Sequence, residues 1–275
     1  MFDVSAFIIA RNEEMRIGKT LRSLLLQKYP LREIVIINDG STDKTKHKCE
    51  FFQGVSNLVK IVDLPYHEES YVGRWELGRS INQGLKLIKK SGVPDFILQL
   101  GADHLLPNDY VSVLIDRMTD KIRISSGTYE GAKLNLNTPL GSGKLIDAKL
   151  WDEFNDMFYP EKYGYESWIG YRFRKEGYSV SRYDDLITEV RPGKMYKKKA
   201  YNWGKGSYAL GGIFPFALVK SISLRKNCFS FLKGYFSRKD VEKHDDIFDF
   251  VGSLQWEKAK KQGLSILNKW LKVRV

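Results

Sequence analysis

Three polar clusters in this sequence follow directly on apolar runs, and each holds residue types that bind or neutralise charged groups. Ala10-Arg11-Asn12-Glu13 follows VSAFII, Asn38-Asp39-Gly40-Ser41 follows EIVII, and Gly101-Ala102-Asp103-His104 follows DFILQL. Asp39 can accept hydrogen bonds from a nucleoside, and Asp103 can hold a hard divalent cation on a diphosphate, since such cations take oxygen ligands. Each Asp taken alone also reads as the cap of a following helix, whose first amides need an acceptor. Three such edges at compatible spacing are less easily explained by capping. Arg79 and Asn82, one helical turn apart, either face a bound ligand or pair on a solvated surface.

The elements that must position these groups alternate. Residues 4–10 and 33–38 are apolar runs of buried-strand length. Between them Ile17, Leu21, Leu24 and Leu25 recur at helical spacing until Tyr29-Pro30, and Thr42 or Asp43 caps the next helix. A third strand is expected over 58–64, a helix over 76–89 with Ile81, Leu85 and Ile88 on one face, and a fourth strand over 95–100. Residues 109–118 read as helix, 121–150 as strands and loops rich in Gly and Asn, and 166–176 as a helix stopped by Gly177. This alternation implies a mostly parallel sheet flanked by helices. Ligands of such a sheet gather at the carboxyl ends of its strands, where the three clusters fall.

Composition sets the frame. The 275 residues carry 45 Lys+Arg against 33 Asp+Glu, a net charge of +12, and 43% apolar residues fill a core and exclude disorder as the main state. The length suits one large domain or a domain with an appendage. Cys49 and Cys228 form neither a disulfide framework nor a zinc module, which favours an intracellular compartment. The opening residues show no secretory signal pattern, and no run reaches the roughly 20 apolar residues that cross a bilayer. The positive charge reads either as polyanion binding or as solubility.

The segment FIIARNEE…IGKTLRSLLLQKYPLREIVIINDGSTDKT resembles the opening of a family 2 inverting glycosyltransferase with the GT-A fold. SINQGLKLIKKSGVPDFILQLGADHLLPNDYV is similar to that family's Asn-Gly helix and the strand carrying its Asp-x-Asp motif. YESWIGYRFRKEGY is similar to the stretch Glu-Asp-x-Asp-Leu-x-x-Arg-Leu-x-x-x-Gly-Tyr. The three cover most of 4–180 in the family's order.

The resemblance implies that Ala10, Arg11, Asn12 and Glu13 line a nucleotide pocket, that Asp39 contacts base or ribose, and that Asp103 holds a divalent cation, Mn or Mg. Arg79 is a further donor-facing candidate. Gly101 stands where the first Asp of Asp-x-Asp is expected, which leaves His104 as the adjacent group able to ligate or hydrogen-bond. Aligning Arg172, Gly177 and Tyr178 puts Glu166 on the catalytic Asp, as the general base for an acceptor hydroxyl. Trp168, two residues on, either lines an acceptor pocket or fills the core. Where many members carry a His, ITEVRPGKMYKKK offers Arg191, which can neutralise a diphosphate but cannot bind a cation. Arg191, Lys194 and Lys197 either share or replace the metal's role at the leaving group, or Asp103 suffices with substrate oxygens and waters. The run Lys197-Lys198-Lys199 also reads as a solvated loop.

The expected organisation is a GT-A domain over 1–212 and a basic, aromatic, helical region over 213–275. In the latter, apolar clusters alternate with Lys220, Arg225, Lys226 and Lys233, and Trp256, Leu264, Leu267, Trp270 and Leu271 fall near one helical face. Basic amphipathic helices with Trp suit an anionic membrane surface, and the same faces also suit packing on the catalytic domain. The implied partners are a nucleotide-diphosphate sugar donor and a glycan or lipid-linked acceptor, with no nucleic acid, in a cytoplasmic protein peripheral to the inner face of the membrane. The Gln-x-x-Arg-Trp signature of processive synthases is missing, which favours transfer of a single sugar. Competing readings are a noncatalytic nucleotide-sugar or glycan-binding protein, a nucleotidyltransferase, against which ARNEE lacks glycine, and a nucleic-acid binder without a recognisable module.

Overall fold

The computed structural model describes residues 1–132, 139–191 and 193–272, with 262–272 as backbone only. Residues 133–138 of the stretch 121–150, expected as strands and loops, and the helical face through Leu264, Leu267, Trp270 and Leu271 therefore lie outside the described residues and side chains. The chain divides into two units, Met1–Tyr71 with Glu76–Pro160 and Glu176–Gly193, and Val72–Trp75 with Glu161–Lys175 and Lys194–Val275.

The first unit is built on β1 (Val4–Ala10), β2 (Glu33–Asp39), β3 (Val59–Leu64) and β4 (Phe96–Gly101), which pair in parallel in the order β3-β2-β1-β4. Phe7 and Ile8 of β1 and Ile34 to Ile37 of β2 are fully buried, as strands covered on both faces require. The crossovers are α1 (Ile17–Leu25), α2 (Thr45–Val55) and α3 (Glu76–Lys90). α1 turns Ile17, Thr20, Leu21 and Leu24 inward, one stripe of a helix. On α3, a Cβ at Gly84 would come within 2.6 Å of Ile37, so the missing side chain lets the helix lie close on β2.

Beyond β4 come β5 (His104–Leu105), α4 (Tyr110–Asp116), β6 (Ile122–Tyr129), β7 (Lys144–Asp147), α5 (Ala148–Asn155) and β8 (Ser179–Val190). β7 runs antiparallel to β4 and β6, β6 runs parallel to β8, and β5 pairs antiparallel with the end of β8. The sheet order is β3-β2-β1-β4-β7-β6-β8-β5. Asp147 caps α5, its side chain accepting from the Leu150 amide at 2.9 Å.

The second unit is helical: α6 (Tyr165–Lys175), α7 (Lys197–Ala209), α8 (Phe214–Ser223), α9 (Cys228–Phe236) and α10 (Phe248–Lys272). Lys197 to Lys199 form the first turn of α7 rather than a loop. α7 and α9 cross backbone to backbone: a Cβ at Gly204 would run into the Phe231 carbonyl, and one at Gly234 into the Tyr201 carbonyl. Trp168 Nε1 donates to Asp246 at 2.8 Å, and His244 Nε2 lies 2.9 Å from the Tyr163 carbonyl, which ties α6 to the segment before α10. Among the described residues, no helix is long and apolar enough to cross a membrane.

Candidate active site

The loops leaving β1 and β2 form one piece. Asn12 takes a left-handed backbone, φ 53°, which Asn tolerates better than most residues. Its amide donates to Ser41 Oγ at 3.0 Å and its side-chain oxygen accepts from the Thr42 amide at 2.8 Å. The Glu13 amide donates to Thr45 Oγ1 at 2.8 Å and the Glu14 amide to Asp43 Oδ2 at 3.1 Å. Gly40, φ 66°, is required between them, because a Cβ there would sit 2.7 Å from the Pro65 carbonyl.

Asp39, at the end of β2, is nearly fully buried. Its Oδ1 accepts from Ser80 Oγ on α3 at 2.8 Å, and its Oδ2 lies 3.3 Å from His67 Nε2. The His67 ring stacks on Tyr71 with centroids 3.7 Å apart, and the Arg11 guanidinium lies against that ring and donates to the His67 carbonyl. Arg11, His67, Asp39 and Ser80 thus form a continuous polar chain from strand edge to helix. Arg79 is exposed on the first turn of α3, one residue before Ser80. Asn82 faces inward instead of toward a ligand, exchanging two hydrogen bonds of 2.8 Å with the Tyr159 backbone.

At the edge of β4, Asp103 meets Arg191, the residue that follows β8. Arg191 Nε lies 3.1 Å from Asp103 Oδ2, and Nη2 pairs with Glu13 Oε1. Partial burial works against the Arg191 charge, but Glu13 and Asp103 outweigh it and raise its pKa. Gly101 has a local reason: a Cβ would lie 3.3 Å from Ser142 Oγ, which already accepts from the Gly101 amide at 2.8 Å.

His104 is fully buried, with Nδ1 and Nε2 each 2.7 Å from a hydroxyl, Ser142 and Thr188 respectively. Thr188 donates its own proton to the Thr128 carbonyl at 2.9 Å, so Nε2 carries the ring proton and Nδ1 accepts from Ser142. Burial pushes the pKa of His104 down to about 4, which keeps the ring neutral. Both nitrogens, expected to be available to a metal ion, are engaged by these hydroxyls, which link the ring to the backbone beside Asp103 through Ser142 and Gly101. Among the described residues no group of three or more His, Cys, Asp or Glu could hold a metal ion. This donor set does not fit a cation held by protein ligands alone; one would take most of its ligands from phosphate and water.

In the second unit, Glu166 is exposed on the first turn of α6 while Tyr165, Trp168, Ile169 and Phe173 turn inward. Residues two apart on a helix point to opposite sides. Trp168 therefore fills the core, the second of the two places expected for it, while Glu166 faces outward. Lys194 and Lys197 are exposed. Tyr196 gives α7 no side-chain cap, so Lys197 adds charge at a helix end whose first amides already favour anions. Burial lowers the pKa of Lys199 and the Glu166 carboxylate opposes that shift, so these two groups feel one another.

Sequence reasoning missed His67, Ser80, Ser142 and Thr188. Only His67 left a signal, as part of the polar PYHEES that follows the third strand. A pocket of about 690 Å³ at the β5–β8 pairing, lined among others by Leu105, Tyr129, Ile187 and Glu189, was also not foreseen.

Residues 5–203 match the model of the family described as Glycosyl transferase family 2. A poly-beta-1,6-N-acetyl-D-glucosamine synthase of Staphylococcus epidermidis is 26% identical over 144 residues, 52% of this chain and 32% of that protein. The chain thus spans about a third of the length of that curated relative. Among solved structures, the mannosyltransferase PcManGT from Pyrobaculum calidifontis in complex with GDP-Man and Mn2+ superimposes with a TM-score of 0.58 at 14% identity, covering 86% of this chain and 72% of its own. S. aureus TarS 1-349 in complex with UDP gives 0.56 at 17% identity, covering 86% and 73%. These likenesses show the fold, that of GT-A transferases.

Proposed function

The chain belongs to glycosyl transferase family 2, and on that premise we propose that it moves one sugar, with inversion, from a nucleotide-diphosphate sugar to a hydroxyl or phosphate acceptor. The observation that carries this reading is the convergence of clusters far apart in sequence, Arg11 to Glu13, Asp39 and Asp103, at the carboxyl ends of adjacent strands. That is where a parallel sheet receives a nucleotide. Asp39, braced by Ser80 and His67, is the group assigned to base or ribose, and the loop of 10–13 is assigned to the nucleotide's surroundings. One solved neighbour carries GDP-Man with Mn2+ and another UDP, so guanosine and uridine donors are both candidates.

Glu166 is the proposed general base. As the acceptor oxygen attacks the anomeric carbon, its proton passes to Glu166; the bond from that carbon to the diphosphate breaks on the opposite face, and the electron pair leaves on the phosphate oxygen. Arg191 is assigned to the charge that develops there, with Lys194 and Lys197 as further cations. A divalent cation carried by the donor's own phosphates would supply the same neutralisation, and no step here requires protein ligands for it. The acceptor we assign is a lipid-linked or surface-glycan precursor.

The test is Glu166→Gln, assayed by release of nucleoside diphosphate from a panel of UDP- and GDP-sugars in the presence of lipid-linked and glycan acceptors. Turnover falls on the order of 10²- to 10⁴-fold while nucleotide affinity stays within a few-fold. Undiminished turnover in the variant would remove Glu166 from the mechanism.

A further inference from the structure

Residues 190–239 contain twelve Lys and Arg and no Asp or Glu. Removing them leaves 33 basic against 33 acidic residues, so this stretch carries the chain's whole excess of +12. Apart from Arg191, which belongs to the first unit, these cations lie in the second unit, where the stretch forms α7, α8 and α9.

A helix in water buries its large apolar side chains and exposes small or polar ones. α8 does the reverse. Ala217 and Ser221, one turn apart, face inward, while Phe214, Leu218, Val219 and Ile222 are exposed, Val219 to 69% and Ile222 to 63%. α9 adds Phe229, 85% exposed, and Phe236, 55% exposed. The Phe214 and Phe236 rings stand 5.6 Å apart, which joins the two helices into one apolar surface. Arg225 and Lys226 are exposed between the helices, Lys233 lies on α9, and Lys220 holds its ammonium 5.3 Å from the Trp203 ring.

We propose that the face formed by α8, α9 and the turn between them seats the second unit on an anionic lipid bilayer, its apolar side chains entering the headgroup boundary and its cations meeting lipid phosphates. The charge selects this occupant among those an apolar face admits. A nucleic acid would satisfy the cations and leave Phe229 and Ile222 in water, whereas a second copy would press one acid-free surface against another. Trp203 in a half-exposed position beside Lys220 is the amphipathic anchor such a boundary favours. The family match ends at residue 203, so α8 and α9 lie outside it. The inference does not depend on the transfer reaction.

The test is co-sedimentation of the full chain, without donor or acceptor, with vesicles of phosphatidylcholine alone and of phosphatidylcholine containing about one-third phosphatidylglycerol, an anionic surface. Binding to the anionic vesicles is expected at least tenfold tighter than to the neutral ones and weakens as salt screens the cations. Replacing Arg225 and Lys226 by Ser loses about fivefold per residue. Ile222→Asp with Phe229→Asp abolishes binding; all four positions are exposed, and an unchanged thermal melt shows each variant folded. Equal binding to both vesicles, retention by both folded variants, or a wild-type dimer that the two Asp substitutions dissolve would overturn the proposal. So would a wild-type chain that binds duplex DNA and ignores vesicles.

Discussion

The His104 ring is a bridge: Gly101 donates to Ser142, Ser142 to Nδ1, Nε2 to Thr188, and Thr188 to Thr128. This chain needs a neutral imidazole. With the folded pKa at about 4 against an ordinary 6.5, the unfolded chain binds more protons between those values. The contribution of His104 is therefore complete above pH 6.5 and drains away as pH falls toward about 4, by on the order of 3 kcal/mol. An NMR titration of the ring should show no protonation down to about pH 5; a midpoint at the ordinary value would contradict the bridge. Arg191 makes a second prediction at this scale. Arg191→Ala leaves Glu13 and Asp103 facing each other without a cation, and nucleoside diphosphate binding with chelator present should weaken about tenfold or more, as loss of a charged hydrogen bond does. Arg191→Lys recovers part of it, since an ammonium lacks the fork that spans both carboxylates.

At the scale of elements, the crossing of α7 and α9 rests on two glycines. Gly204→Ala or Gly234→Ala forces the backbones apart and should cost about 1–3 kcal/mol or more, read from thermal melting. An unchanged melting temperature would mean that the helices do not touch there. α7 was illegible for a related reason: three lysines at a helix start oppose the dipole and resemble a solvated loop, and the packing that overrides this comes from residues 204 and 234. β1, β2 and β4 were legible because burial on both faces demands continuous apolar runs. β8 was not, because its polar residues find partners only in the fold: Arg182 at 3.1 Å from Thr128 Oγ1, and Asp185 in an ion pair of 2.6 Å with Arg117.

Across the whole molecule, charge and chemistry are unevenly divided. The first unit carries Asp39, Asp103 and Arg191 on a sheet, and the second carries Glu166 and the acid-free helices. Asp39 and Asp103 were readable because each closes an apolar run, a local pattern. The groups that brace them were not: Ser80 lies 41 residues from Asp39, and Thr188 lies 84 from His104. Trp168 went to the core because its neighbour Glu166 took the outward side of the helix. Whether Asp39 anchors a nucleotide is decided by calorimetric titration of UDP and GDP, each with and without manganese, into the wild type, Asp39→Asn and Glu166→Gln. One nucleotide should bind saturably, at least tenfold more weakly to Asp39→Asn, and within a few-fold of wild type to Glu166→Gln. Failure of both nucleotides to bind, or equal binding by Asp39→Asn, would contradict the account.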